Sequence, residues 1–332
     1  MMKWFSLERI TRMVIGVLIF ICIVACLIIT NENSKEEYEI ILIPKTTGAT
    51  EFWVTFTEGG SMAASEYGVD IEIIGTEDET DEEGQIAIIE EILARENLPD
   101  ALVVSPLSYS SITDVLIKVE ESGIALVLAD SVVDEEIGES VVATDNILAG
   151  VELGSYAASL IEEEDEIVIV GHVEGASTAI DREAGVRQGL GNLEDNIQEI
   201  VFCDSSYTKA QELTLELIEK YPDLKIIIGL NENAAVGAAW ALKEAGKEGE
   251  ILLVGFDSSL EEVMLMEEGV FQGIVIQNPF NMGYLGVEQA IKLVSGEEIE
   301  ANIDSGSKLI TMDNLYDEEN QKLLFPFNTN VE

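Results

Sequence analysis

Polar side chains with recognisable chemistry recur along the chain, each just beyond a short apolar run. Pro44-Lys45-Thr46-Thr47-Gly48-Ala49-Thr50-Glu51-Phe52-Trp53 follows the first such run. Ser105-Pro106, Asp130-Ser131 and Thr144-Asp145-Asn146 follow the third, fourth and fifth. Later runs end at Gly171-His172, Asp204-Ser205-Ser206-Tyr207, Asn231-Glu232-Asn233, Asp257-Ser258 and Gln277-Asn278. Any single Asp or Asn here would serve equally as a helix N-cap, and Asp145 is expected to do so. As a series they do more. Carboxylates and amides pair with adjacent hydroxyls, while an aromatic face stacks on the apolar C–H side of a sugar ring. The mixture suits a neutral polyol.

Other chemistries are excluded by composition. His172 is the one histidine, and Cys203 is the one cysteine outside the first hydrophobic run, so the common zinc and Ser-His-Asp sites are out of reach. The glycines form no phosphate loop or dinucleotide fingerprint. Asp78 to Gly84 is acidic but lacks the alternating spacing of a calcium loop, and reads as a solvated surface loop. Asp130 and Asp257 could in principle serve as general acid and base in a sugar-modifying enzyme, but no nucleophile elbow, metal set or phosphate loop supports one. No cofactor and no metal are expected. With 65 acidic against 17 basic residues the formal charge is −48. Nucleic acid is excluded as a partner, because its phosphates are bound through Lys and Arg clusters that this chain lacks. Nor is the chain disordered, since 47% of its residues are hydrophobic and recur in regular runs.

The elements that must position these residues alternate. β-branched runs at 40–43, 70–74, 101–104, 125–128 and 141–143 read as strands, and a second series follows at 167–170, 200–203, 225–228, 251–254 and 273–276. Ile226-Ile227-Ile228 is apolar at every position, as expected of a parallel strand covered on both faces. Between the strands lie amphipathic helical patterns such as Lys209–Lys220. In this segment Trp53 opens a helix, whereas Trp240 lies in an alanine-rich pattern and is expected to pack in a core. The fold class is α/β, with two lobes of about five parallel strands favoured over one wide sheet. Ligands of such sheets bind beyond the carboxyl ends of the strands, where the polar series stands.

Lys3, Arg9 and Arg12 precede an uncharged apolar stretch from Met13 to Thr30. This is the pattern of a signal sequence or membrane anchor with its basic flank in the cytoplasm. Ile23-Val24-Ala25-Cys26 is also similar to a bacterial lipobox, which would make Cys26 a lipidation site. A helix buried in the globule is a third reading. The first two place the body outside the cytoplasm and tied to the membrane, with residues 31–37 as a polar linker.

The chain resembles a type I periplasmic (solute-)binding protein of the ribose/galactose-binding group, the fold shared with the effector domains of LacI-type repressors. The resemblance covers roughly residues 38 to 315. It rests on the Phe52-Trp53 pair, Ala129-Asp130, Thr144-Asp145-Asn146 with Ala149-Gly150, Arg182-x-x-Gly185, Asn231-Glu232, Gly255-Phe256-Asp257 and Ile276-Gln277. It implies two Rossmann-like lobes, 38–143 with 278–303 and 144–277 with 304–332, joined by three hinge crossings. It also implies that Phe52 and Trp53 sandwich a sugar, with Tyr207 facing them from the second lobe. Asp130, Asn231 and Asp257 would share hydroxyl hydrogen bonds, Arg182 would donate through its planar fork, and Gln277 would reach the ligand from a crossing. Thr50, Ser105, Ser131, Thr144 and His172 are further candidates. Two positions depart from the ribose binders. Ser131 stands where they carry an arginine, and Thr50-Glu51 replaces an Asn-Pro pair. The implied function is sugar binding by hinge closure, as the substrate-binding component of an ABC importer working with its permease, or as a sugar sensor beside a kinase or chemoreceptor. A repressor is not implied, since no basic helix-turn-helix precedes the first strand.

Overall fold

The computed structural model describes Arg12, residues 38–48 and residues 50–325. The expected anchor at 1–30, lipidation at Cys26 and linker at 31–37 lie outside the described residues. Among the described residues no helix is long and apolar enough to cross a membrane.

Two six-stranded sheets carry the fold. The first has the order β11-β5-β4-β3-β1-β2, with β1 at Glu39–Ile43, β2 at Asp70–Ile73, β3 at Ala101–Val104, β4 at Ala125–Ala129, β5 at Ser140–Ala143 and β11 at Asn302–Asp304. All its pairs are parallel. Because successive side chains alternate between faces, Ile40 and Leu42 pack beneath helices α1 (Glu51–Tyr67) and α9 (Pro279–Ser295). Ile41 and Ile43 enter the opposite core with α2 (Glu82–Leu93) and α3 (Thr113–Ser122). Burial on both faces explains why these strands are apolar throughout.

The second sheet has the order β12-β10-β9-β8-β6-β7, with β6 at Glu166–Gly171, β7 at Ile197–Phe202, β8 at Leu224–Gly229, β9 at Leu252–Phe256, β10 at Gly273–Gln277 and β12 at Ser307–Thr311. Helices α4 (Asn146–Leu160) and α5 (Ser177–Leu190) cover one face. The other is covered by α6 (Tyr207–Lys220), α7 (Glu232–Ala245), α8 (Leu260–Glu267) and α10 (Glu318–Leu324). β12 runs antiparallel to β10, so this sheet is mixed rather than parallel throughout. β11 and β12 were not among the expected strands. Both are short edge strands with polar residues, held by pairing with a neighbour rather than by a continuous apolar run.

The chain passes between the sheets after β5, after β10 and between β11 and β12. The first and third of these are tied together: Thr144 Oγ1 and Ser305 Oγ are 3.3 Å apart, and Asp304 Oδ1 accepts from the Asp145 backbone N–H at 3.2 Å. Asp145 caps α4 as expected, its Oδ1 accepting the Leu148 N–H at 2.9 Å.

Candidate functional site

The ends of the parallel strands meet between the lobes and line one cleft. Thr50, Phe52, Trp53, Asp130, His172, Arg182, Asn231, Asp257 and Gln277 all border it. Its walls are drawn together by direct bonds between lobes. The Tyr109 N–H donates to Gly175 O at 3.0 Å, the Val132 N–H to Ser177 Oγ at 3.1 Å, and the Leu260 N–H to Glu51 Oε2 at 3.2 Å. The void left inside is about 30 Å³.

Two aspartates hold equivalent places. Asp130 follows β4 with φ 64° and Asp257 follows β9 with φ 78°, both in the left-handed region that few non-glycine residues adopt. Asp204 and Ser205, after β7, share it. Such backbone is tolerated where the surroundings hold it, and it gathers at binding sites. Asp257 Oδ1 accepts from Gln277 Nε2 at 2.5 Å, and its Oδ2 accepts the Glu232 N–H at 2.9 Å.

Arg182 stands beneath this pair. Its Nε donates to Asn146 Oδ1 at 2.8 Å and its Nη1 to Leu230 O at 2.7 Å, while its guanidinium carbon lies 4.6 Å from the centre of the Phe256 ring. Asp257 Oδ2 is 4.0 Å from Nη1. Close approach of two helices makes this possible. A Cβ on Gly150 would lie 2.6 Å from Arg182 O, and one on Gly185 only 2.3 Å from Ile147 O. Gly185 therefore belongs with Arg182 for packing reasons.

Lys45 was not singled out from the sequence. It lies beyond β1 with its Nζ 2.8 Å from Asp130 Oδ2, and it reaches across to donate to Thr178 Oγ1 at 3.3 Å. Lys45 and Arg182 are the buried Lys and Arg among the described residues. Lys45 supplies Asp130 with the cation that Ser131 cannot; Ser131 Oγ instead donates to Asp130 Oδ2 at 2.7 Å. The available signal was its place in the series of strand ends. Thr178 Oγ1 also meets His172 Nε2 at 2.9 Å. Burial, with Arg182 and Lys45 nearby, holds the His172 ring neutral by pushing its pKa well below the usual range.

Glu79 is the second residue the sequence reading missed. It belongs to the acidic segment read as a solvated loop, yet its carboxylate enters the cleft. Oε1 accepts from Trp53 Nε1 and Oε2 from Ser205 Oγ, both at 2.6 Å. Position in a loop of like charges carried no signal that could set it apart.

The remaining candidates stand elsewhere. Tyr207 opens α6, and its ring packs on Trp240 with centroids 5.5 Å apart while its hydroxyl donates to Glu232. It therefore does not line the cleft opposite Phe52 and Trp53, which meet edge to face at 4.9 Å. Ser105 is buried behind the wall, where its carbonyl accepts from Gln85 Nε2, and Thr144 belongs to the crossings. Trp240 is half-buried, packed on the second lobe's core with its Nε1 donating to Glu261. Cys203 is buried and free.

Comparison with known proteins points the same way. Residues 40–298 match the periplasmic binding protein domain family. A D-ribose/D-allose-binding protein of Pseudomonas aeruginosa is 26% identical over 282 residues, covering 82% of this chain and 88% of its own. The crystal structure of a sugar transporter from Clostridium phytofermentans is 40% identical, with a TM-score of 0.78 over 82% of this chain and 99% of that one. A carbohydrate transporter solute-binding protein from Agrobacterium radiobacter, solved in complex with D-arabinose, is 27% identical, with a TM-score of 0.82 over 88% of this chain and 100% of its own.

Proposed function

The chain belongs to the periplasmic binding protein family, and from that premise we propose that it is the extracytoplasmic sugar-binding component of an ABC importer. It binds its ligand rather than transforming it. One observation carries the reading. Thr50 Oγ1, His172 Nδ1 and Gln277 Oε1 are buried without hydrogen-bond partners, and all three residues border the same cleft. Buried polar atoms are almost always satisfied, so three orphans around one void mark a place for a ligand's hydroxyls.

In this reading Asp130 and Asp257 share hydroxyl hydrogen bonds, Arg182 and Asn231 hold the far side, and Phe52 with Trp53 form an aromatic wall. The bonds between the lobes hold the cleft shut, so the lobes part to admit a sugar and close by rotation about the three crossings. Closure is favoured by the contacts that the ligand makes to both lobes only when they are shut. The basic flank and apolar run from Met13 to Thr30, with Cys26, support a membrane tether for the domain.

Tryptophan fluorescence tests this. Full-length protein titrated with pentoses and hexoses is expected to give a saturable change with one or a few of them. Trp53→Phe should remove that change, and Trp240→Phe should keep it. Folded protein that responds to no sugar, by fluorescence or calorimetry, would overturn the proposal.

A further inference from the structure

The cleft holds more negative charge than its own cations match. Four carboxyl groups border it, from Glu79, Asp130, Glu232 and Asp257, of which burial favours the protonated form of Glu232, against the two fixed cations Lys45 and Arg182. His172 is neutral. Lys45 is committed to Asp130 at 2.8 Å, and Arg182 lies 4.0 Å from Asp257. Glu79 and Glu232 are left with neutral donors: Trp53 and Ser205 on one, the Tyr207 hydroxyl on the other. Neither forms an ion pair with a Lys or Arg among the described residues. Glu79 is part-buried and lacks a counter-ion, so the cleft is built with an opening for a cation that the protein does not supply.

Glu79 is held ready for that role. Thr76 Oγ1 bonds to Lys45 O and Asp78 O, both at 2.8 Å, and the Thr80 N–H and hydroxyl both bond to Asp78 Oδ1. These contacts order the loop. The carboxylate is then aimed by the Trp53 indole on one side and by Ser205 of the other lobe on the other. The buried Gln277 Oε1, an acceptor with no partner, borders the same space.

We infer that Glu79 is a further ligand-contacting, specificity-determining residue, and that the cleft prefers an amine-bearing sugar over its neutral parent and rejects sugar acids. The inference rests on the sugar-binding reading and narrows it. An ammonium group gives Glu79 its missing counter-ion, a neutral sugar leaves it unmatched, and a uronate adds a like charge. The overall charge of −48 acts in the same sense, concentrating cations around the protein and repelling anions.

The test is calorimetry on full-length protein at about pH 6.5, where an aliphatic amine is protonated. The probes are glucose with glucosamine and glucuronate, galactose with galactosamine and galacturonate, and mannose with mannosamine. At least one amino sugar is expected to bind about tenfold or more tightly than its parent, with the uronates weakest. Glu79→Gln should bring that ratio close to one. If neutral sugars bind and no amino sugar exceeds its parent, or if Glu79→Gln leaves the ratio unchanged, the inference is overturned and the sugar-binding reading stands. If folded protein binds neither these nor any neutral pentose or hexose, both fall together.

Discussion

Lys45 and Asp130 form an ion pair at 2.8 Å between the ends of β1 and β4, with 5% and 4% of their side chains exposed. The two strands are separated by β3 in the sheet, so only the assembled lobe brings the charges together. Lys45→Met leaves the Asp130 carboxylate buried and unpaired. The expected loss is about 3–5 kcal/mol of stability against urea. The double substitution Lys45→Met with Asp130→Leu should recover most of it. A single-variant loss below about 1 kcal/mol would mean that water already solvates Asp130.

Asp257 and Arg182 should matter most for the ligand. Asp257→Ala frees Gln277 Nε2 and the Glu232 N–H at once, and Arg182→Ala frees Asn146 Oδ1 and Leu230 O. Each is expected to weaken binding of the best sugar by more than about 2 kcal/mol, or about 30-fold, because buried partners are left unpaired. Losses below tenfold in both, measured by calorimetry, would remove the cleft assignment.

Tyr207 provides the contrast. Its hydroxyl serves Glu232 and its ring serves Trp240, one layer out from the cleft. Tyr207→Phe should leave sugar affinity within about threefold while lowering stability by about 1–3 kcal/mol, the cost of an unmade buried hydrogen bond. A large loss of affinity with unchanged stability would bring Tyr207 back to the ligand.

Stability should depend on pH through two buried carboxyls and an opposed histidine. Burial pushes Glu232 up to about 7 and Glu262 well above the carboxylate range, with Asp257 adding to both. Between about pH 4.5 and 7 the native protein therefore holds protons that the unfolded chain has released, and this contribution to stability falls as pH rises. His172 has the reverse sign. Its native pKa lies well below 6.5, so the unfolded chain gains a proton first and stability falls as pH drops below that value. Urea unfolding from about pH 5 to 8 should show a decline toward pH 7 that is shallower in Glu232→Gln. An unchanged slope in that variant would assign the decline to other groups.

Much of this was legible before the fold was known. Ile40–Ile43, Ile226–Ile228 and their counterparts are apolar at every position because both faces of a parallel sheet are covered, a requirement that acts residue by residue. The ligand cleft of such sheets lies beyond the strand ends, so Asp130, Asn231, Asp257 and Gln277 could be picked out by position and chemistry, whereas Arg182, inside α5, was marked only by the family resemblance. Asp145 could be assigned to a cap for the same local reason. β11 and β12 could not, since their pairing is decided by an edge that other strands provide.

What the sequence determined by itself is the α/β alternation, the cores and the chemical class of the strand ends, all encoded in short-range pattern. Tertiary structure alone decided which charges meet. It set Lys45 on Asp130 across an intervening strand, drew Glu79 out of an acidic loop onto Trp53 and Ser205 of opposite lobes, and turned Tyr207 away toward Trp240. Ion pairs and single hydrogen bonds depend on distances of a few ångströms between residues far apart in the chain. No periodicity records such distances.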